Sequence, residues 1–292
     1  LIVIERDGWY VRPDGEEMKE PTLVDKYDFS FTLRGEHIKL DYALITVHGT
    51  PGENGLLQGY LDLVGVPYNT GGTLTEALTF NKYYCNRYLS TYPNLRVADS
   101  VRLLRNGARP SSEELIKRLG LPLFAKPNAG GSSVATSKVE SLEALDKAVA
   151  LAFDECDEVL LERFIAGTEV TCGCYRIGDT ITALPVTEVV PKNSFFDFEA
   201  KYNGAVEEIT PARISPELTA QIQELTREIY QRVDARGIIR VDYIIEADGH
   251  PTLLEVNTTP GMTPTSFIPQ QVKAAGLTMQ DLLTDLIQDH LS

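Results

Sequence analysis

The segment Ile238 to Asn257 reads IIRVDYIIEADGHPTLLEVN, and it constrains the fold more than any other stretch. Two runs rich in β-branched and aromatic residues flank Asp248-Gly249, a tight-turn dipeptide, so the segment reads as a β-hairpin. A two-residue loop there pairs Ala247 with His250. It sets Asp242 opposite Glu255 and Arg240 opposite Asn257. Side chains alternate along a strand, so these four share one face. Val241, Tyr243, Leu254 and Val256 then form the core-facing set. Two carboxylates directly across a strand pair repel. A cation between them removes that cost. Carboxylate and amide oxygens suit hard Mg²⁺, which also takes phosphate oxygens and water. Two such ions at Asp242, Glu255 and Asn257 would bridge the phosphates of a nucleotide. The plain alternative is an exposed hairpin whose charges face solvent.

Other stretches point to the same ligand chemistry, each weakly when taken alone. The loop after the hairpin, Thr258 to Pro264, is rich in small and turn residues that bring backbone N–H groups close to a ligand, as an oxyanion hole does. An ordinary surface turn would look the same. The stretch KPNAGGSSVATSK starts at Lys126, directly after the apolar run Leu121 to Ala125. Its glycines, with Ser132 and Ser133, can fold over phosphates, although a flexible linker has similar composition. It is not a Walker A loop, since no Gly-Lys pair occurs, and the dinucleotide G-x-G-x-x-G pattern is also absent. Lys82, Lys126 and Lys201 are candidate phosphate cations. Most lone lysines are solvated surface residues; Lys126 stands out because it ends a strand. Glu162-Arg163-Phe164-Ile165 follows another strand, where backbone groups can meet a purine edge.

The order of elements is α/β throughout. Tyr42 to Val47 reads as a strand, followed by the loop HGTPGENG and a helix over Leu56 to Val64 closed by Gly65. Thr73-x-x-Glu76 and Ser111-x-x-Glu114 both read as capping boxes, the first opening a helix toward Leu89. Ser141 caps a further helix. Val170 to Ile177 and Thr180 to Val190 flank a Gly178-Asp179 hairpin, and Ser215-Pro216 opens a helix with one apolar stripe. Breaks near Gly71 and Gly167 divide the chain into residues 1–70, 71–166 and 167–292.

Composition excludes some partners. The 292 residues carry 27 Lys plus Arg against 42 Asp plus Glu, a net charge of −15. Such a surface repels nucleic acids and anionic membranes, so phosphate must meet local cations or a metal. No apolar run approaches a membrane span, and no secretory h-region is present, so the cytoplasm is the expected compartment. Cys85, Cys156, Cys172 and Cys174 lack a disulfide-framework spacing; Cys172 and Cys174, on one face of a strand, read as buried thiols, with a metal or redox pair as the alternative.

Taken in order, HGTPGENG, FAKPNAGGSSV, LLERFIAGTE, FEAKY, RVDYI and LLEVNTTPGMTPTSF resemble D-alanine–D-alanine ligases of the ATP-grasp superfamily. The resemblance runs from about Tyr42 to the C-terminus. It implies two α+β ATP-grasp modules preceded by a partial Rossmann-like domain, and a homodimer. Lys82 and Lys126 would then contact ATP phosphates, with Ser133 in the loop over them. Glu162, Arg163, Phe164 and Ile165 would line the adenine, and Glu169 would hold the ribose. Lys201 would reach the γ-phosphate. Asp242, Glu255 and Asn257 would bind two Mg²⁺ or Mn²⁺ ions. Arg240 and the Gly261 N–H would stabilise an oxyanion. Ser266 and Phe267 would hold the second D-alanine carboxylate. His48 and Glu53 would lie beside the substrates, and Ser132 and Tyr202 would order the mobile loop. The implied product is D-alanyl-D-alanine, a peptidoglycan precursor. D-alanyl-D-lactate and D-alanyl-D-serine ligases, or an ATP-binding relative that has lost catalysis, are the alternatives. Tyr202 resembles the dipeptide-forming type.

Two departures from the family stand out. Nothing ahead of His48 matches its opening strand, Gly-Gly loop and glutamate, so either that segment is missing or the first-substrate site differs; if it is missing, turnover is expected to be poor. Ala135 replaces the usual glycine, which matters only where φ is positive.

Overall fold

A computed structural model describes residues 1–13, 21–131, 134–191 and 206–291. Residues near the N-terminus form two small antiparallel sheets, Ile2–Ile4 with Trp9–Val11 and Thr22–Leu23, and Ser30–Leu33 with Glu36–Lys39. Trp9, Phe29 and Tyr60 meet edge to face beneath them, which joins these strands to the Leu56–Val64 helix. The apolar run at Tyr42 to Val47 makes only a bridge, Ala43 with Tyr68, rather than the expected strand. The side chain of Asn69 takes the place of a neighbouring strand: its Oδ1 accepts from Ile45 N–H at 2.5 Å and its Nδ2 donates to Ile45 O at 3.1 Å. Backbone polar groups are satisfied without a ladder.

A four-stranded antiparallel sheet follows, in the order Ser100–Leu104, Glu158–Arg163, Leu123–Pro127, Ser137–Val139. The Leu142–Glu155 helix buries Leu145, Ala148, Val149, Ala152 and Phe153 against it. The larger sheet is built on Gly167–Ile177, whose residues Gly167 to Tyr175 pair with Ile238–Glu246. The run Thr180 to Val190, expected as one strand, is two. Thr180–Ala183 and Thr187–Pro191 pair with different parts of the same neighbour, and Pro185 lies in the break. Pro216–Arg232 lays its Ile222, Leu225 and Ile229 stripe on this sheet, and Cys172 and Cys174 are buried there as thiols. Among the described residues no helix is long and apolar enough to cross a membrane.

The C-terminal hairpin has a different turn from the one its sequence predicts. Glu246 N–H donates to His250 O at 3.0 Å and Gly249 N–H to Glu246 O at 2.8 Å, so the loop holds three residues, with Gly249 at φ 80°. This puts the pairs near the turn one residue out of the expected register: Tyr243 faces Leu253 and Ile245 faces Pro251. A β-bulge between Asp242 and Tyr243 absorbs Leu254 as an extra residue. Beyond it the predicted pairs return, Asp242 with Glu255 and Arg240 with Asn257. Leu253, not Leu254, therefore joins Val241, Tyr243 and Val256 in the core; Leu254 is half-buried.

One of the two capping boxes is real. Ser111 accepts from Glu114 N–H, and the Glu114 carboxylate accepts from Ser111 N–H. The other is not, because Thr73 is already inside the helix Thr73–Phe80, whose N-cap is Gly72. That helix also ends at Asn81, which opens a second one, Lys82–Leu89. Ser111→Ala should lower stability by about 1 kcal/mol, as loss of a working cap does. Unfolding in urea measures this; a change below about 0.3 kcal/mol would mean that the cap contributes nothing.

Candidate active site

The hairpin face carries the densest charge cluster. Asp242, only 7% exposed, accepts from Arg240 Nε and Nη2, both at 2.8 Å, from Asn257 Nδ2 at 3.1 Å and from Thr171 Oγ1 at 2.6 Å. Thr171 sits opposite Asp242 on the adjoining strand, which is how it reaches the carboxylate. Burial alone would lower the pKa of the Arg240 guanidinium. Asp242, Glu255 and Glu169 outweigh it and hold Arg240 firmly charged. The Phe267 ring lies 5.3 Å from Arg240 Cζ and covers its other side.

Two lysines reach this cluster from the smaller sheet and its helices. Lys82 Nζ lies 3.6 Å from Glu255 Oε2 and donates to Gly130 O, in the glycine loop, at 2.7 Å. Lys126 Nζ lies 2.5 Å from Glu162 Oε2. Burial opposes the charge on Lys126, but Glu162, with help from Glu255, raises its pKa above that of an ordinary lysine. Asn86 Nδ2 donates to the other Glu162 oxygen at 3.3 Å. Fully buried Asn128 accepts from Tyr83 N–H and donates to Asn81 and Glu158, which fixes the start of the Lys82 helix. Lys82, Lys126 and Arg240 thus stand among Asp242, Glu255, Glu162 and Glu169. Cations and carboxylates converge there from both sheets.

The donor set fits a hard divalent ion. It is all oxygen, from two carboxylates and a carboxamide on one strand-pair face. Among the described residues there is no group of three His, Cys, Asp or Glu able to enclose a metal.

In the stretch Glu162 to Ile165, Arg163 N–H donates to Asp99 O and Phe164 N–H to Pro122 O. Phe164 packs on Phe124, with ring centroids 6.0 Å apart, and Ile165 is buried. Glu169 lies on the long central strand opposite Ile244 and Val189. Ser266 is the N-cap of the helix Phe267–Ala274 with no capping bond from its side chain; its Oγ lies 2.8 Å from Thr263 Oγ1. A helix start of this kind favours a carboxylate. A Cβ on Gly261 would come within 2.7 Å of Ser266 Oγ, so the glycine lets the two approach closely. His48 Nδ1 lies 3.7 Å from Glu53 Oε1, while Gly49 N–H donates to Glu53 Oε2 at 2.6 Å. His48 shares an apolar pocket with Thr258, Thr259 and Pro260, so the early loop and the post-hairpin loop face each other. Ser132, Ser133, Lys201 and Tyr202 lie outside the described residues.

The geometry agrees with what the chain is similar to. The family described as D-ala D-ala ligase C-terminus matches residues 92–288. A D-alanine–D-alanine ligase from Porphyromonas gingivalis strain W83 is 63% identical over all of this chain and 87% of its own length. The chain belongs to the D-alanine–D-alanine ligase family. A relative of the same name from Bacteroides fragilis strain YCH46 is 51% identical over 99% of this chain and 88% of its own length. Among solved structures, the VanG D-Ala:D-Ser ligase from Enterococcus faecalis aligns with a TM-score of 0.86 at 32% identity, covering 99% of this chain and 88% of that one. The D-alanine–D-alanine ligase from Bacillus anthracis complexed with ATP aligns at 0.73 with 29% identity, covering 86% and 79%. The α/β ATP-grasp architecture is the chain's fold.

Sequence reasoning missed Thr171, Asn86 and Asn128, which hold Asp242, Glu162 and the start of the Lys82 helix without carrying charge. It also misassigned Glu76. That side chain is fully buried and accepts from Thr258 Oγ1 at 2.5 Å rather than capping its helix. Burial pushes its carboxyl up to about 8, and Glu53 adds to this; the Thr258 hydroxyl and the Gly71 N–H pull the other way.

Two predictions arise here. The folded chain keeps the Glu76 proton up to about pH 8, while the unfolded chain loses it near 4.5. Unfolding therefore releases a proton between those values, and rising pH costs stability across that window. Glu76→Gln should abolish this loss, about 3 kcal/mol between pH 5 and 8, as read by urea midpoints; parallel curves for both proteins would contradict it. Ala135 has φ 52°, the region where a Cβ is strained. Ala135→Gly should stabilise the chain by about 1 kcal/mol, and a lowered midpoint would show that the alanine is accommodated.

Proposed function

We propose that this chain carries out the ATP-dependent joining of two D-alanines to D-alanyl-D-alanine, through an acyl phosphate. The convergence of Asp242, Glu255 and Asn257 with Lys82 and Lys126 carries the reading. Two divalent ions, Mg²⁺ or Mn²⁺, belong at Asp242, Glu255 and Asn257, where they would neutralise the triphosphate. Lys82 and Lys126 exchange their carboxylate partners for phosphate oxygens. The segment Glu162 to Ile165 borders the base, and Glu169 takes the ribose hydroxyls. Lys201 and Ser133 complete the nucleotide contacts.

The carboxylate of the first D-alanine attacks the γ-phosphorus, ADP leaves, and an acyl phosphate forms. The amine of the second D-alanine then attacks that carbonyl carbon. The oxyanion is held by Arg240 and the Gly261 N–H until phosphate departs. The helix start at Ser266 and Phe267 takes the second carboxylate, placing the amine at the carbonyl. His48 and Glu53 border the first substrate, and Ser132 and Tyr202 order the loop above it. Residues 1–70, 71–166 and 167–292 serve as substrate domain, central ATP-grasp subdomain and metal-bearing subdomain. A cytoplasmic homodimer making peptidoglycan precursors is the matching context.

ADP formation should require both D-alanine and Mg²⁺, with D-alanyl-D-alanine as the product even when D-lactate or D-serine is supplied alongside. Asp242→Asn should lower kcat by about 100-fold or more. ATP turnover indifferent to D-alanine would sink the ligase reading, and a mixed ester or D-Ala-D-Ser product would reassign the second substrate.

A further inference from the structure

We propose that Glu76 is a positioning residue: its carboxyl fixes Thr258 and thereby sets the Thr258–Gly261 loop at the second-substrate end of the site. This rests on the ligase reading above. Glu76 needs a reason to be there. Its helix starts at Gly72 and takes no side-chain cap from Glu76; close by in sequence the carboxyl meets the Gly71 N–H. Its Oε1 is buried with no well-formed hydrogen bond among the described residues. An apolar or hydroxyl side chain would avoid the desolvation that an acid suffers there.

The bond it does make is aimed at the site. Thr258 Oγ1 donates to Glu76 Oε2 at 2.5 Å, and both residues are buried. Thr79 Oγ1 stands 3.4 Å from the same hydroxyl. On its other side the helix is anchored by Thr75, which donates to Val233 O at 2.9 Å and Asp234 O at 3.1 Å. Gly71 makes room for the carboxyl, since a Cβ there would lie 2.9 Å from Oε1. Thr258 directly follows Asn257 and stands three residues before Gly261, the residue that approaches Ser266. A shift at Thr258 therefore moves Gly261 and its N–H relative to Ser266. Lys126 and Glu162 are held in the other sheet, and Lys82 is fixed by Asn81 and Asn128. Asn257 is held by its pairing with Arg240 and its bond to Asp242, so a shift at Thr258 reaches the oxyanion and second-carboxylate contacts more than the nucleotide contacts. Gln has the shape of Glu and can still accept from Thr258, so it should preserve the link.

The test uses the full chain with Glu76→Ala, Glu76→Gln and Thr258→Val, varying ATP and D-alanine separately. Glu76→Ala should raise the KM for D-alanine about tenfold and lower kcat, with the ATP KM changed by less than about twofold. Glu76→Gln should return both within about threefold of the parent. The Glu76→Ala/Thr258→Val double variant should be no worse than either single one, because both cut the same link. Equal rises in both KM values, or Glu76→Gln as poor as Glu76→Ala, would overturn the proposal. If Glu76→Ala does not fold, Thr258→Val decides on the same KM split. Hydrogen exchange at the amides of Thr258, Thr259, Gly261 and Met262 reads the link without turnover. About tenfold faster exchange in Thr258→Val and not in Glu76→Gln supports it, and unchanged exchange in Thr258→Val overturns it. A parent protein whose ATP turnover ignores D-alanine sinks the ligase reading instead, leaving the exchange result to decide the role of Glu76.

Discussion

Two carboxylates, Asp242 and Glu255, face each other across one strand pair, and the rest of the site is arranged around that pairing. Opposed acids on a sheet are costly unless cations lie near. Here Arg240 holds Asp242 in a two-point ion pair and Lys82 lies beside Glu255. Lys126 is engaged by Glu162 yet still feels Glu255. The cluster is close to charge-balanced within itself. On the reading proposed above, a triphosphate adds negative charge and would enter together with divalent ions, so metal and nucleotide binding would be one coupled event. An acidic protein of net charge −15 can bind a polyanion in this way without a basic surface.

The architecture separates two tasks. The smaller sheet carries Lys126 and Glu162 on paired strands, with Lys82 braced against it through Asn81 and Asn128. The larger sheet carries the hairpin, Thr171 and Glu169. The loop from Thr258 to Ser266 then leads from the hairpin face to a helix start suited to a carboxylate. On the proposed reading, phosphate handling and substrate orientation would come from different parts of the chain and meet at the hairpin face.

Much of this was legible in the sequence, for physical reasons that can be named. Periodicity located the long helix from Pro216 because its apolar stripe has nowhere to go except onto a sheet. The pairing of Asp242 with Glu255 was read correctly from a turn that was itself misread. The three-residue loop shifts the register and the bulge at Leu254 shifts it back, and neither leaves a signature that composition alone separates from a two-residue turn. The Thr73–Glu76 box failed because the pattern depends only on spacing, while the tertiary partner Thr258 lies 182 positions away. The expected strand at Tyr42 to Val47 failed for a similar reason: Asn69 supplies side-chain hydrogen bonds where a ladder was assumed. Ser132, Ser133, Lys201 and Tyr202, which the family resemblance assigns to the nucleotide and its covering loop, lie outside the described residues.

The central claim is that the hairpin face binds divalent ions only together with phosphate. Counting Mn²⁺ bound per chain by electron paramagnetic resonance, with and without a non-hydrolysable ATP analogue, tests it most directly. The account predicts weak binding to the protein alone and about two tightly held ions once the analogue is present. Tight Mn²⁺ binding without nucleotide, or no gain when it is added, would contradict it.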